Sequence, residues 1–385
     1  MRQAMFLCLI LAGALLWAGC GGGEDNPFEL KSEGVTSAQR AVALAFAPDG
    51  RLFFAEQYTG DIRIVGADGE LLSEPFAHLD VANWLDLDWG LTGLALDPDF
   101  ASNGYVYAFY TEPLPSDVNQ PIARPKIVRF KDQNNKGEGP TVLVGDFPET
   151  LLDHQGFKAN GALQFGPDGF LYATMGDYDY GKRAGDNGTP PAQDPGSPLG
   201  KVLRLNPDGS AAPGNPFAGT PGADPRVYAL GFSRGANLVF NPATGDLYTV
   251  DGTDSCEELD LVKPGANYGW PNVGEFPFSD CFFGDQERAV HILARPGTQA
   301  GQFLSFVSAW GMEFVSGAKY STLGDSLLVC ERQTKEARRL VFSGAQVTSD
   351  DAVVKDCSLD VTVNRDGTIY YSNETDIKRL VPEPQ

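Results

Sequence analysis

A strand–turn–strand phrase returns six times along this chain of 385 residues. It reads LAFAPDGRLFFAE at 44–56, LALDPDFASNGYVYAFYTE at 94–112, LQFGPDGFLYATMGD at 163–177 and LVFNPATGDLYTVD at 238–251. A weaker copy, MEFVSGAKYSTLGDSLLVCE, fills 312–331, and the last, VTVNRDGTIYYSN, fills 361–373. Each has an apolar strand, a turn of Asp, Gly, Pro or Asn, and a second strand rich in aromatic and β-branched residues. The turn residues supply the positive φ angles and side-chain hydrogen bonds that tight hairpins require. No long segment carries a helical period. The spacing is too irregular for a uniform solenoid but suits propeller blades separated by loop insertions. Stacked hairpins in a sandwich are the alternative, and six related phrases fit radial repetition better. The expected fold is all-β: a six-bladed β-propeller over 30–383, built of four-stranded antiparallel blades. Gly/Pro-rich insertions at 113–160, 178–235 and 253–311 are expected to build one functional face, because loops on a rigid scaffold commonly carry sites.

Ahead of the repeats, residues 1–20 read MRQAMFLCLILAGALLWAGC. One Arg, an apolar run and small residues before Cys20 have the form of a lipoprotein-type signal peptide, too short for a good membrane anchor. Residues 21–29 then read as a flexible tether. Export to the periplasm or cell envelope follows, with membrane contact only through a lipid on Cys20. The net charge is −22, and removal of the leader takes away a further cation, Arg2. Such a surface repels nucleic acid and anionic lipid and attracts divalent cations. Four cysteines lie beyond the leader: Cys256, Cys281, Cys330 and Cys357. In an oxidising compartment they suggest two disulfides, with three pairings open. Sequence proximity favours Cys256–Cys281 and Cys330–Cys357. No CxxC or His/Cys cluster points to zinc or haem.

Four segments, in order, resemble one family. They are GLTGLALDPDFASNGYVYAFYT (90–111), LQFGPDGFLYATMGD (163–177), AQDPGSPLGKVLRLNPDG (192–209) and NPATGDLYTVDGTDSCEELDLVKPGANYGWPNVGE (241–275). FGPDG alone is common among propellers, whereas the ordered set with Asn267-Tyr268-Gly269-Trp270-Pro271 is specific. The set resembles the soluble quinoprotein glucose/sorbosone dehydrogenases, which include aldose sugar dehydrogenases. The resemblance implies pyrroloquinoline quinone (PQQ) on the propeller axis, held by Ca²⁺. It also implies a His base that takes a proton from a sugar hydroxyl as hydride passes to the quinone.

Transferred residue by residue, these roles fall as follows. His154, in Asp153-His154-Gln155, is the candidate catalytic base. In the family the base stands seven residues ahead of the position that Phe165 takes, and here that count lands on Lys158. Either four residues are inserted after Gln155 or the base is absent. His78 and His291 have no comparable context. The family Arg that follows the strand VYALGF (227–232) aligns with Ser233, and a one-residue bulge would bring Arg234 into its place as a second catalytic candidate. Asp88 stands where the family has Gln. PQQ carries three carboxylates and needs cations, and Lys158, Lys182, Arg183, Arg234 and Arg332 lie in or next to the insertion loops or blade ends. Of these Lys158, Arg234 and Arg332, with Asp153, Gly252 and Thr253, are the candidate cofactor-binding residues. The Gly252 and Thr253 carbonyls match the family loop that holds the cofactor's Ca²⁺, and Glu258 with the Tyr268 carbonyl matches a second, structural Ca²⁺ site.

The expected function is therefore PQQ- and calcium-dependent oxidation of an aldose or related sugar hydroxyl, with electrons passing to a periplasmic acceptor. The departures at Asp88, Lys158 and Ser233 favour the alternative of a non-catalytic propeller that binds carbohydrate or protein. A calcium-dependent hydrolase or lactonase ranks last, because its converging acidic and Asn ligands do not assemble from these motifs.

Overall fold

The computed structural model describes residues 30–83, 88–115, 122–150, 158–181, 185, 187–252, 257–271, 287–294 and 307–383. The proposed leader and tether, His154, Asp153, Thr253, Cys256 and Cys281 lie outside them.

Within the described residues, twenty-four strands form six four-stranded antiparallel sheets. The first strand, β1 (Ser32–Ser37), stands apart from the blade that follows it. Blade 1 runs outward from the axis as β2 (Ala41–Phe46), β3 (Leu52–Glu56), β4 (Asp61–Val65) and β5 (Ala77–His78). Blade 2 is β6 (Leu91–Leu96), β7 (Tyr105–Leu114), β8 (Ile122–Asp132) and β9 (Gly137–Val144). Blade 3 is β10 (Leu163–Phe165), β11 (Leu171–Met175), β12 (Lys201–Leu205) and β13 (Val227–Leu230). Blade 4 is β14 (Asn237–Phe240), β15 (Leu247–Gly252), β16 (Glu257–Val262) and β17 (His291–Leu293). Blade 5 is β18 (Ala309–Val315), β19 (Ser326–Glu331), β20 (Glu336–Ser343) and β21 (Gln346–Lys355). Blade 6 takes β22 (Val361–Val363), β23 (Ile369–Ser372) and β24 (Asp376–Leu380) from the end of the chain, and its outer strand is β1. Each of the six phrases is thus the innermost strand, turn and second strand of one blade.

The ring closes because each innermost strand packs on the next: β2 on β6, then β10, β14, β18, β22 and β2 again. Radial closure leaves few sheet edges free. The core divides into the seams between blades. Phe53, Phe76 and Phe130 fill the seam between blades 1 and 2, and Trp89, Tyr107, Phe109 and Phe147 fill the next. Ring pairs such as Phe53–Phe76 meet edge to face at 5.3 Å, the arrangement that the ring quadrupole favours. Cys330 and Cys357 form a disulfide in the seam between blades 5 and 6, as sequence proximity suggested.

The insertions do not all extend from one end of the propeller. β12 runs away from the end at which β11 stops, since Met175 pairs with Lys201 and Leu171 with Leu205. Residues 176–181 and 187–200 therefore lie at one end of the blade, and 206–226 at the other. Likewise β16 leaves Gly252 at Glu257 and finishes at Val262 opposite Leu247. The chain then climbs back along blade 3, where Asn267 bridges Leu230 in parallel and Trp270 N–H donates to Gly231 O at 3.0 Å. This return carries Trp270 up to the end where the innermost strands begin.

Candidate functional site

At that end a recurrent device fixes the chain before each innermost strand. A carboxylate or hydroxyl at this end of a second or third strand accepts backbone N–H groups that precede or open an innermost strand. Glu56 accepts from Gln39 N at 2.7 Å. Asp251 accepts from Ser233 N, Arg234 N and Gly235 N at 2.8, 2.6 and 2.8 Å. Glu257, opening β16, accepts from Ser308 N at 3.1 Å and Ala309 N at 2.9 Å. Orphan amides are satisfied, and the side chains between them are aimed at the mouth of the axis.

Arg234 is one of these side chains, held on Asp251 through its own amide. Its guanidinium lies 3.1 Å from Asp88 Oδ2, 3.3 Å from Ser308 Oγ and 3.9 Å from Glu257 Oε1, with its carbon 4.7 Å from the Trp310 ring centre. Burial pushes Glu257 up to about 7 against the pull of Arg234. Arg40 reaches the opposite side of the same region, 5.5 Å from the Trp310 ring and 5.1 Å from Tyr58. It donates to Gln57 Oε1 and pairs with Glu374, and Glu374 also lies 3.3 Å from Arg332 Nε. Lys158 completes the set from blade 3. Its ammonium donates to Ser233 Oγ at 2.9 Å, lies 3.2 Å from Asp179 and sits 5.2 Å from the Trp270 ring centre. Trp270 is steadied by its indole N–H on Asp177 Oδ2 at 2.7 Å.

The structure thus brings Arg234 to the mouth, places Lys158 at the blade 3–4 side and Arg332 at the blade 5–6 side, and adds Arg40, which lies outside the family-like phrases. Gly252 ends β15 opposite Glu257, where a Cβ would lie 2.8 Å from Glu257 Oε1, so a larger residue would have to displace that carboxylate from the Ser308 and Ala309 amides. Glu258 and Tyr268 belong to a different neighbourhood, the seam with blade 3. There Tyr268 stacks on Phe232 at 4.6 Å, and its hydroxyl donates to Leu261 O. Glu258 lies beside Asp260 and Asp251, and burial with these neighbouring charges raises its pKa. His78 pairs with Asp61 and His291 with Asp350, both on outer strands. Four cations gathered among rings at the mouth of a strongly acidic molecule can bind a flat polyanion.

A model of the Glucose / Sorbosone dehydrogenase family matches residues 38–381. Quinoprotein glucose dehydrogenase B of Acinetobacter calcoaceticus is 32% identical over 61% of this chain and 50% of its own length, so the chain spans about half of that relative. Aldose sugar dehydrogenase YliI of Escherichia coli strain K12 is 25% identical over 96% of this chain and 95% of its own. A solved structure from Thermus thermophilus, described as an oxidoreductase (glucose dehydrogenase), superposes with a TM-score of 0.72 at 29% identity, over 91% of this chain and all of the other.

Proposed function

Since the chain belongs to the glucose/sorbosone dehydrogenase family, we propose that it oxidises a hydroxyl of an aldose or related sugar with PQQ seated at the mouth of the axis. The carrying observation is the convergence of Arg40, Lys158, Arg234 and Arg332 there, in a chain of net charge −22. The donor set fits a planar ligand with three carboxylates. Arg234 and Arg332 offer planar forks for carboxylates, Lys158 a point charge, and Trp270 and Trp310 flat apolar faces. The quinone, when bound, supplies acceptance of a hydride from the carbon that bears the hydroxyl. Arg234, close to the developing charge, stabilises it electrostatically. His154, outside the described residues, is assigned the role of base toward the hydroxyl proton. A carbonyl at Gly252, with Thr253 outside the described residues, is assigned to the cofactor's Ca²⁺, and Glu258 with the Tyr268 carbonyl to a second Ca²⁺. Asp153 completes the proposed contacts, also outside the described residues.

The leader and Cys20 support an exported, lipid-anchored enzyme that passes electrons to a periplasmic acceptor. No helix among the described residues is long and apolar enough to cross a membrane.

Purified protein loaded with PQQ and Ca²⁺ is expected to reduce an artificial dye with a panel of aldoses. Absence of quinone binding by calorimetry would overturn the reading. The ion pair of Arg234 with Asp88 favours a second reading, a propeller that binds carbohydrate or protein without oxidising it, because the carboxylate competes with those of the quinone. Sugar binding without quinone binding in the same calorimetry supports that alternative.

A further inference from the structure

Among the described residues, Asp260 is a buried side chain without partners at either oxygen. It sits in the middle of β16, 1% exposed, and neither of its carboxylate oxygens accepts a hydrogen bond from a described residue. A buried carboxylate without partners costs several kcal/mol if charged, and even a neutral one gives up hydrogen bonds that water would supply. Strand alternation places Glu258 and Asp260 on one face of β16. Across the ladder, Asp251 stands opposite Glu258 and Thr249 opposite Asp260.

The three carboxylates on this face are not equivalent. Asp251 is engaged by three backbone amides. Asp260 has none, and no hydrogen bond joins it to Glu258, so the two carboxyls do not share a proton. The side chain lies beside Tyr268, whose phenol it influences. Tyr268 belongs to the segment that climbs from Lys263 to Trp270, and its amide donates to Leu230 O at 2.9 Å. No third His, Cys, Asp or Glu joins Glu258 and Asp260 in a metal-binding group among the described residues. A cation held here would take its other oxygens from backbone and water, the mixed set that hard divalent ions accept and thiophilic ones do not.

We propose that Asp260 is a direct ligand of a hard divalent cation bound with Glu258 and the Tyr268 carbonyl, so that the ion ties the climbing segment to blade 4. The inference rests on the assignment of a cation to Glu258 and Tyr268, and extends it to a residue that this assignment does not include. Two carboxylates in place of one tighten the site, since ligand charge count sets affinity for such ions. The cation also offsets the repulsion between two carboxylates confined in the seam.

The test uses the whole exported chain without quinone, stripped with EGTA and titrated with CaCl₂ by calorimetry and by thermal melting. The wild type is expected to lose thermal stability on stripping and to regain it with Ca²⁺. In Asp260→Asn the affinity for Ca²⁺ is expected to fall on the order of ten-fold or more. An Asp260→Asn protein that binds Ca²⁺ like wild type overturns the role of Asp260. If Glu258→Gln alone then loses binding, the assignment to Glu258 and Tyr268 still stands. A wild type that neither binds Ca²⁺ nor responds to stripping overturns both, and PQQ titration of the same sample reports separately on the dehydrogenase reading. Should Asp260→Asn not fold, Asp260→Ser carries the same comparison.

Discussion

Asp88 sets how much positive charge Arg234 presents at the mouth of the axis. The side chains are 16% and 10% exposed, so their attraction is screened less than that of a surface pair. A ligand carboxylate must displace or share that contact. Asp88→Gln, which installs the family's residue, is expected to strengthen PQQ binding by about 1–2 kcal/mol, roughly ten-fold, in a calorimetric titration. Unchanged or weaker binding would show that Asp88 does not compete with the ligand. Arg234→Lys is expected to weaken binding about ten-fold or more, because an ammonium cannot replace a fork stacked on Trp310. An effect below two-fold would remove Arg234 from the binding set. Of the charged residues at this end, Arg234 and Lys158 were legible from motif offsets. Arg40 was not: it precedes the first phrase, and only ring closure brings it beside Trp310, 270 residues further along the chain. Asp260 was hidden for another reason. In Glu-Leu-Asp-Leu-Val it has the ordinary alternation of a strand with one solvated face, and nothing local says that blade 3 covers that face.

At the level of elements, β19 and the segment after β21 are joined by Cys330–Cys357, closing a loop with a separation of 27 residues. Restriction of the unfolded chain by a loop of that size contributes about 3–4 kcal/mol. The Cys330→Ala/Cys357→Ala pair is expected to lose stability of that order in denaturant unfolding. An unchanged unfolding free energy would show that the crosslink contributes nothing to the closure of this seam. Elements were read unevenly from sequence. The two inner strands of every blade carry the repeat phrase, because both faces are buried and the turn between them is tight. Outer strands such as Ala77–His78 and His291–Leu293 are short and half exposed, so neither composition nor period sets them apart from loop.

For the whole molecule, the axis has its own chemistry. Innermost strands of all six blades line a central cavity that includes Glu313, Asp360, Asn237 and Gln164. Burial, with Asp360 nearby, pushes Glu313 up to about 8, and burial pushes Asp360 up to about 7. Asp360 accepts from Leu44 N at 2.7 Å and lies 3.5 Å from Asn237 Nδ2. Both groups hold protons in the folded state at pH values where the unfolded chain has released them. The folded state therefore binds more protons between about pH 4 and 8, and stability falls as pH rises through that window. Glu313→Gln, a fixed neutral analogue, is expected to flatten this decline and raise the melting temperature at pH 8 by a few degrees. The same slope in wild type and variant would exclude Glu313 as its source.

Closure of blade 6 by β1 has a consequence for how the protein is made. Ser32 pairs with Leu380 and Ser37 with Asp376, so the earliest strand of the ring waits for the latest. Until the end of the chain is synthesised, five blades form an open arc whose first and last blades each leave a face uncovered, and β1 has no partner. The contact that completes the ring is also among the most distant in sequence, and its loop-closure cost falls on a chain whose other blades are already assembled. A ribosome-bound chain is accordingly an unfinished circle, with apolar blade faces open at both ends to sticking and proteolysis until release.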